Sequence, residues 1–281
     1  RIVRICRKHG VRTNLTMNTV IFDHELIRVK RIIDSAVKNG IDAIIASDQA
    51  VIQYARKAGM SVHMSTQTNV TNMEAVRYWS QFADVIVTAR ELSLPQVGNI
   101  VRAIRRQRLT GPSGKPVRIE VFAHGALCMA VSGKCYLSLD HYNQSANRGA
   151  CYQVCRRPYR VTDTETLIEL EVENEYIMSP KDLCTIGFLD KIINAGVSVL
   201  KIEGRGRSPE YVRTVTECYR QAADAVVAGT YSQELAERLL GKLKTVYNRG
   251  FWDGYYLGQT MGEWAEQHGS VATRSKEYVG R

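Results

Sequence analysis

The sequence predicts an α/β fold: a parallel sheet covered by helices, read as a TIM-type (β/α) barrel. Three observations point there. An amphipathic helix, a glycine and a short apolar run recur in that order along the 281 residues. The runs are continuously apolar, as strands covered on both faces are. No G-x-G-x-x-G opens a helix after a strand, which removes the mark of a dinucleotide-binding sheet.

Taken in order, "RIVRICRKHG" reads as the end of a helix, and the missing initial Met suggests a piece of a longer protein. It has neither the apolar centre nor the small-residue cleavage site of a signal peptide. "VRTNLTMNT" is the first strand. "LIRVKRIIDSAVKNG" is a helix leading into the strand "IDAIIAS", and "AVIQYARKAG" leads into "MSVHMST". In both pairs Gly stands where a helix C′ residue is needed. "TNMEAVRYWSQF" and "LPQVGNIVRAIRRQR" are helices around the strand "ADVIVTA", and "VRIEVFAHG" is the next strand. A cysteine-rich stretch then leads to "TDTETLIELEVENEYIMS", read as a β-hairpin, so that residues from about 126 to 178 form an insertion. Beyond it "DLCTIGFLDKIINAG" is read as a helix, with Ser179 and Asp182 as its cap, leading into "VSVLKIEG". "SPEYVRTVTECYRQAADAVVAG" and a further helix follow, and then the aromatic, glycine-rich loop "NRGFWDGYYLG". About six β/α units are present where a barrel has eight. The expectation is a barrel over residues 1–274 whose first two units are missing, with 275–281 opening a further β domain.

Composition narrows the function. Hydrophobic residues make up 44% and charged residues 23%, as in globular proteins. No apolar run approaches the roughly 20 residues of a membrane-spanning helix, so a cytoplasmic protein without a membrane partner is expected. The net charge of +10 favours a polyanionic partner, since each neutralised phosphate releases counterions.

Four of the seven cysteines fall between His124 and Tyr159: Cys128 and Cys135 as C-x6-C, then Cys151 and Cys155 as C-x3-C. In a reducing compartment such clustering points to metal or redox chemistry before disulfides. Two pairs of thiols match the ligand count of an iron–sulfur cluster or a tetrahedral zinc, although C-x6-C is wide for zinc. Unrelated thiols are the third possibility. Arg156 and Arg157 would offset thiolate charge. Cys184 is an alternative to Cys155 as ligand; Cys6 and Cys218 read as helix residues.

In a barrel, chemistry gathers at the C-terminal ends of strands. The strand ends here deliver Asn18, Asp48, Gln67, Asn69, Arg90, Glu91, His124, Glu203 and Arg205. His124 stands four residues before Cys128. "LKIEGRGRSPEYV" sets Glu203, Arg205 and Arg207 ahead of a helix, where an anion is favoured; a structural Glu–Arg pair is the competing account.

"EVFAHGALCMAVSGKCYLS", "SANRGACYQVCRRPY", "YIMSPKDL" and "VLKIEGRGRSPEYV", with "STQTNVTN" and "ARELS" upstream, resemble the collagenase-like peptidases of unknown catalytic type, peptidase family U32. The resemblance runs along essentially the whole chain. It implies either proteolysis or, as in the RNA-hydroxylation branch, prephenate-linked hydroxylation of a pyrimidine: a tRNA wobble uridine or a ribosomal RNA cytidine. A non-catalytic role, in iron–sulfur assembly or as an accessory to ubiquinone synthesis, is the further alternative it implies; the ubiquinone members carry a [4Fe–4S] cluster in this region. Carried over, the ligands are Cys128, Cys135, Cys151 and Cys155; zinc is the alternative metal. The expected catalytic residues are His124, Arg90, Glu203 and Arg205, with Gln67, Asn69 and Glu91 binding the co-substrate, and tRNA or ribosomal RNA as partner. Neither H-E-x-x-H nor a serine nucleophile elbow is present. A Cys128–His124 pair is the peptidase mechanism the residues allow.

Overall fold

The computed structural model describes residues 1–170, 174–259 and 262–274; residues 275–281, expected to open a β domain, lie outside them. The chain divides into two compact units. The first holds Arg1–Val121, Ala130–Tyr152 and Val197–Val199; the second holds Phe122–Met129, Gln153–Gly196 and Leu200–Arg281.

In the first unit, strands β1 (Asn14–Met17), β2 (Ala43–Ala46), β3 (Ser61–Met64), β4 (Val85–Val87) and the first half of β5 (Arg118–Gly125) pair in chain order. Every ladder is parallel. Helices α1 (Ile2–Lys8), α2 (Leu26–Lys38), α3 (Gln49–Lys57), α4 (Met73–Ser80), α5 (Leu94–Gln107) and α6 (Leu137–Tyr142) belong to the same unit. Their apolar stripes bury Ile33 and Ile52 with strand residues Ile44, Met64, Ile86 and Ile119, each worth about 1.5–3 kcal/mol of transfer free energy. Polar side chains fix the helix starts: Asp48 accepts from Ala50 N at 2.9 Å, and Asn72 from Ala75 N at 2.9 Å.

In the second unit, β6 (Val161–Thr162) and β7 (Glu169–Leu170) form a short antiparallel hairpin, as expected of the insertion. β8 (Asp182–Cys184) meets the end of β5 antiparallel, His124 opposite Cys184, and pairs parallel with β10 (Phe251–Trp252). β9 (Val199–Ile202) pairs with β5. Backbone bonds from Ser198 N to Ile119 O and from Glu203 N to His124 O advance together along both chains, which makes the pairing parallel. Helices α7 (Leu189–Asn194), α8 (Pro209–Ala228) and α9 (Gln233–Lys244) bury Leu189, Ile192, Tyr211, Leu239 and Leu243.

Three expectations change. The sheet is not a closed barrel: in neither unit does the strand path return to its start. A parallel ring needs a covering helix between consecutive strands, whereas among its described residues the link from β5 to β8 holds the six-residue α6, 3₁₀ turns and the hairpin. The helix expected from Asp182 is a strand, because the carboxylate of Asp182 is buried against Arg249 at 3.3 Å instead of capping a helix. The loop "NRGFWDGYYLG" contributes β10.

Candidate functional site

In the first unit the strand ends form one polar network. Asn18 donates to Ser65 Oγ at 3.1 Å; Ser47 donates to Asn18 O and to Gln67 Oε1, both at 3.0 Å. Asn69, in the left-handed region at φ 48°, donates to Ser132 O at 2.9 Å, and Arg90 donates to Ser132 Oγ at 2.6 Å. Asn69 and Arg90 thus meet at the buried Ser132, and Gln67 lies against its neighbour Gly133. Asn69 Oδ1 is buried and receives no hydrogen bond. Glu91, next along the chain, is exposed and stands outside this network. Ser132 itself was not a candidate; a lone serine in "AVSGKC" carries no signal of its own. Gly133 faces Gln67 so closely that a Cβ would lie 3.2 Å from its Cγ. Asp48 caps α3 and accepts from Ile21 N.

The segment carrying Cys135 and Cys151 is fixed in the same unit. Arg148 forms a two-pronged ion pair with Glu25 at 2.8 and 2.9 Å and lies 3.9 Å over the Phe22 ring. That guanidinium pulls the Glu25 carboxyl down to about 2.

In the second unit His124 is sealed, at 1% exposure, among Tyr211, Tyr219 and Phe251. Its Nδ1 faces Tyr219 Oη at 3.3 Å, and burial, with a smaller push from Arg207, lowers its pKa to about 3. The imidazole is neutral at physiological pH and has Tyr219, not Cys128, as its hydrogen-bond partner. Tyr219 donates to Ala123 O at 2.7 Å, and Thr185 N donates to Tyr219 Oη. Cys184, expected as an alternative ligand, is buried in this core, and burial pushes its thiol up to about 12. Glu203 lies at the end of β9 and accepts from Arg205 N at 2.8 Å, closing a turn that leaves the Arg205 side chain exposed. Arg207 stacks 3.9 Å over Tyr247.

Arg156 is the hub of the remaining chemistry. Its guanidinium donates to Leu127 O at 2.6 Å, to Ser179 Oγ at 3.1 Å and to Pro180 O. Burial and the neighbouring Arg249 lower its pKa, while the charges of Cys155, Asp182 and Cys128 raise it. Two of the four candidate ligands, Cys128 and Cys155, thus lie near one buried guanidinium. Cys128 and Cys151 are exposed, Cys135 and Cys155 half-buried, and none of the four is in a disulfide. In kind they are a donor set for an iron–sulfur cluster or zinc. Among the described residues no three His, Cys, Asp or Glu side chains meet at one ion position. No described helix is long and apolar enough to cross a membrane.

Residues 1–266 match the sequence profile of peptidase family U32. The chain is similar to a protein named collagenase from Porphyromonas gingivalis, 58% identical over 281 residues, which is all of this chain and 68% of that one. It is 35% identical over 228 residues to a 23S rRNA 5-hydroxycytidine synthase of Escherichia coli, covering 80% of this chain and 33% of that protein. It is 31% identical over 278 residues to tRNA hydroxylation protein P1 of Bacillus subtilis, covering 94% of this chain and 63% of the relative. No solved structure matches it.

Proposed function

The chain belongs to peptidase family U32, and from that membership we propose that it hydroxylates a pyrimidine of RNA, a tRNA wobble uridine or a ribosomal cytidine, with prephenate as co-substrate. The observation that supports this reading is the placing of two cysteines, Cys128 and Cys155, beside the buried Arg156 guanidinium, which is held by Leu127 O and Ser179 Oγ. A guanidinium beside cysteines suits a metal centre, whose thiolate ligands carry negative charge. On this reading Cys128, Cys135, Cys151 and Cys155 would be the ligands of a [4Fe–4S] cluster, which would supply the redox chemistry that ring hydroxylation requires and side chains alone lack.

The protein's own residues take the remaining roles. Arg205, exposed on a turn closed by Glu203, offers a guanidinium to a carboxylate of the co-substrate. Arg90 is oriented by Ser132, and Gln67 and Asn69 present amides at the same strand ends. His124 acts by position: neutral and sealed, it fixes the end of β5, whose carbonyl at the same residue accepts from Glu203 N. The net charge of +10 draws RNA, which the 35% and 31% identical relatives are named for modifying.

A second reading, proteolysis, is favoured by the 58% identity to a protein named collagenase. The buried, neutral His124, bonded to Tyr219, is a poor base for Cys128. Two measurements separate the readings. RNA mass spectrometry on cells lacking the protein should show loss of one hydroxylated pyrimidine, restored by the wild-type gene and not by Cys128→Ser. If every hydroxylated pyrimidine persists and the anaerobically purified protein cleaves denatured collagen, proteolysis is the function.

A further inference from the structure

The first unit exposes aromatic rings on the very segment that carries Cys135 and Cys151. Tyr136, which follows Cys135, is 70% exposed; Tyr152, which follows Cys151, is 56% exposed; Tyr142 is 41% exposed. Tyr142 and Tyr152 pair with ring centroids 5.0 Å apart and planes tilted by 36°, and His141 flanks Tyr142 at 6.2 Å. The two rings are thus neighbours that each keep a substantial part of their surface exposed, which leaves ring surface for a flat partner to cover.

The rings stand on a fixed frame. Tyr152 N donates to the buried Ser138 Oγ at 3.0 Å, which ties the two ring-bearing stretches together. The Arg148–Glu25 ion pair anchors the chain between them. A tyrosine held by its backbone loses little further entropy on contact, so such a surface is preorganised.

We propose that Tyr142 and Tyr152 form a stacking platform for unpaired bases of a single-stranded RNA segment. This rests on the RNA-hydroxylation reading above and adds the form of substrate. Every base offers a π face to an aromatic ring, but only bases outside a duplex are free to present it. Charge agrees at the scale of the chain, whose net charge is +10; within residues 130–152 Arg148 is paired with Glu25, and Lys134 stands against Asp140.

The test compares wild type with Tyr142→Ala, Tyr152→Ala and the corresponding Phe variants. Fluorescence anisotropy measures binding of labelled oligouridine, of the same strand annealed to its complement, and of a denatured collagen peptide. Wild type should prefer the single strand. Each Ala variant should bind it roughly fivefold or more weakly; each Phe variant should bind as wild type does, and the salt dependence should be unchanged. Full single-strand affinity in the Ala variants of a protein that does bind RNA overturns the platform and leaves the hydroxylation reading standing. Ala variants that lose the collagen peptide but not RNA overturn it in favour of a peptide surface. A wild-type protein with no affinity for RNA removes the hydroxylation reading, and the platform with it.

Discussion

His124 shows how one residue can be found by its position and misread by its type. Its place at the end of "VRIEVFAHG" was legible, because a strand end before a cysteine-rich loop is where a barrel concentrates chemistry. Its burial was not, since it depends on Tyr211, Tyr219 and Phe251, which lie far along the sequence. The burial has a pH consequence. The folded-state pKa, about 3, lies below the ordinary 6.5, so between these values the unfolded chain binds a proton that the folded chain refuses. Stability is therefore complete above about pH 6.5 and declines as pH falls toward 3. Glu25, lowered from 4.5 to about 2, adds an acid-side loss of its own only below 4.5. Urea midpoints measured between pH 7 and 4.5 should slope downward in wild type and flatten in His124→Phe; equal slopes would mean that the ring is not held neutral. Gln67, Asn69 and Arg90 were readable as a group because each ends a strand of the same sheet. Ser132, which joins Asn69 and Arg90, was invisible, because only the folded loop brings it to them.

At the scale of elements, the parallel half of the sheet was legible in pattern: β2 and β4 are continuous apolar runs, while β1 and β3 alternate polar and apolar residues beside helix ends. Failure came at β8, three residues long, where an Asp that reads as a helix cap is instead neutralised by Arg249 some sixty residues away. A local pattern does not encode such a pairing. The contact between β5 and β9 depends on Gly125. This residue adopts φ +109°, and a Cβ there would lie 2.5 Å from Glu203 O and 3.2 Å from Tyr211 Oη. Gly125→Ala should therefore destabilise the protein by about 1–3 kcal/mol from backbone strain, and further through the backbone clash. Gly59→Ala, at φ +75° with open space around it, should cost only the strain. Thermal denaturation of the two variants gives the comparison; equal shifts would show that the close approach to β9 is not tight.

For the molecule as a whole, charge is the property that composition reveals most directly and fold least explains. If RNA is the partner, affinity should fall by at least about a hundredfold between 50 and 200 mM salt, as counterion release requires. Binding of denatured collagen should change far less, and anisotropy titrations across salt read both. The division into two compact units was not legible, because the boundary passes through the middle of β5, between Val121 and Phe122, where the sequence is uniformly apolar. The hold of Arg156 on Leu127, Ser179 and Pro180, with Tyr159 N bonded to Glu175 O, closes the neck of the excursion that contains the β6–β7 hairpin. Chain length beyond a closed neck is thermodynamically cheap, about 0.6 kcal/mol for each doubling. The hairpin tip is therefore a natural graft point: a fluorescent protein or an affinity tag spliced in beyond Asp163 would ride outside the clamp and leave Cys128 and Cys155 where they are.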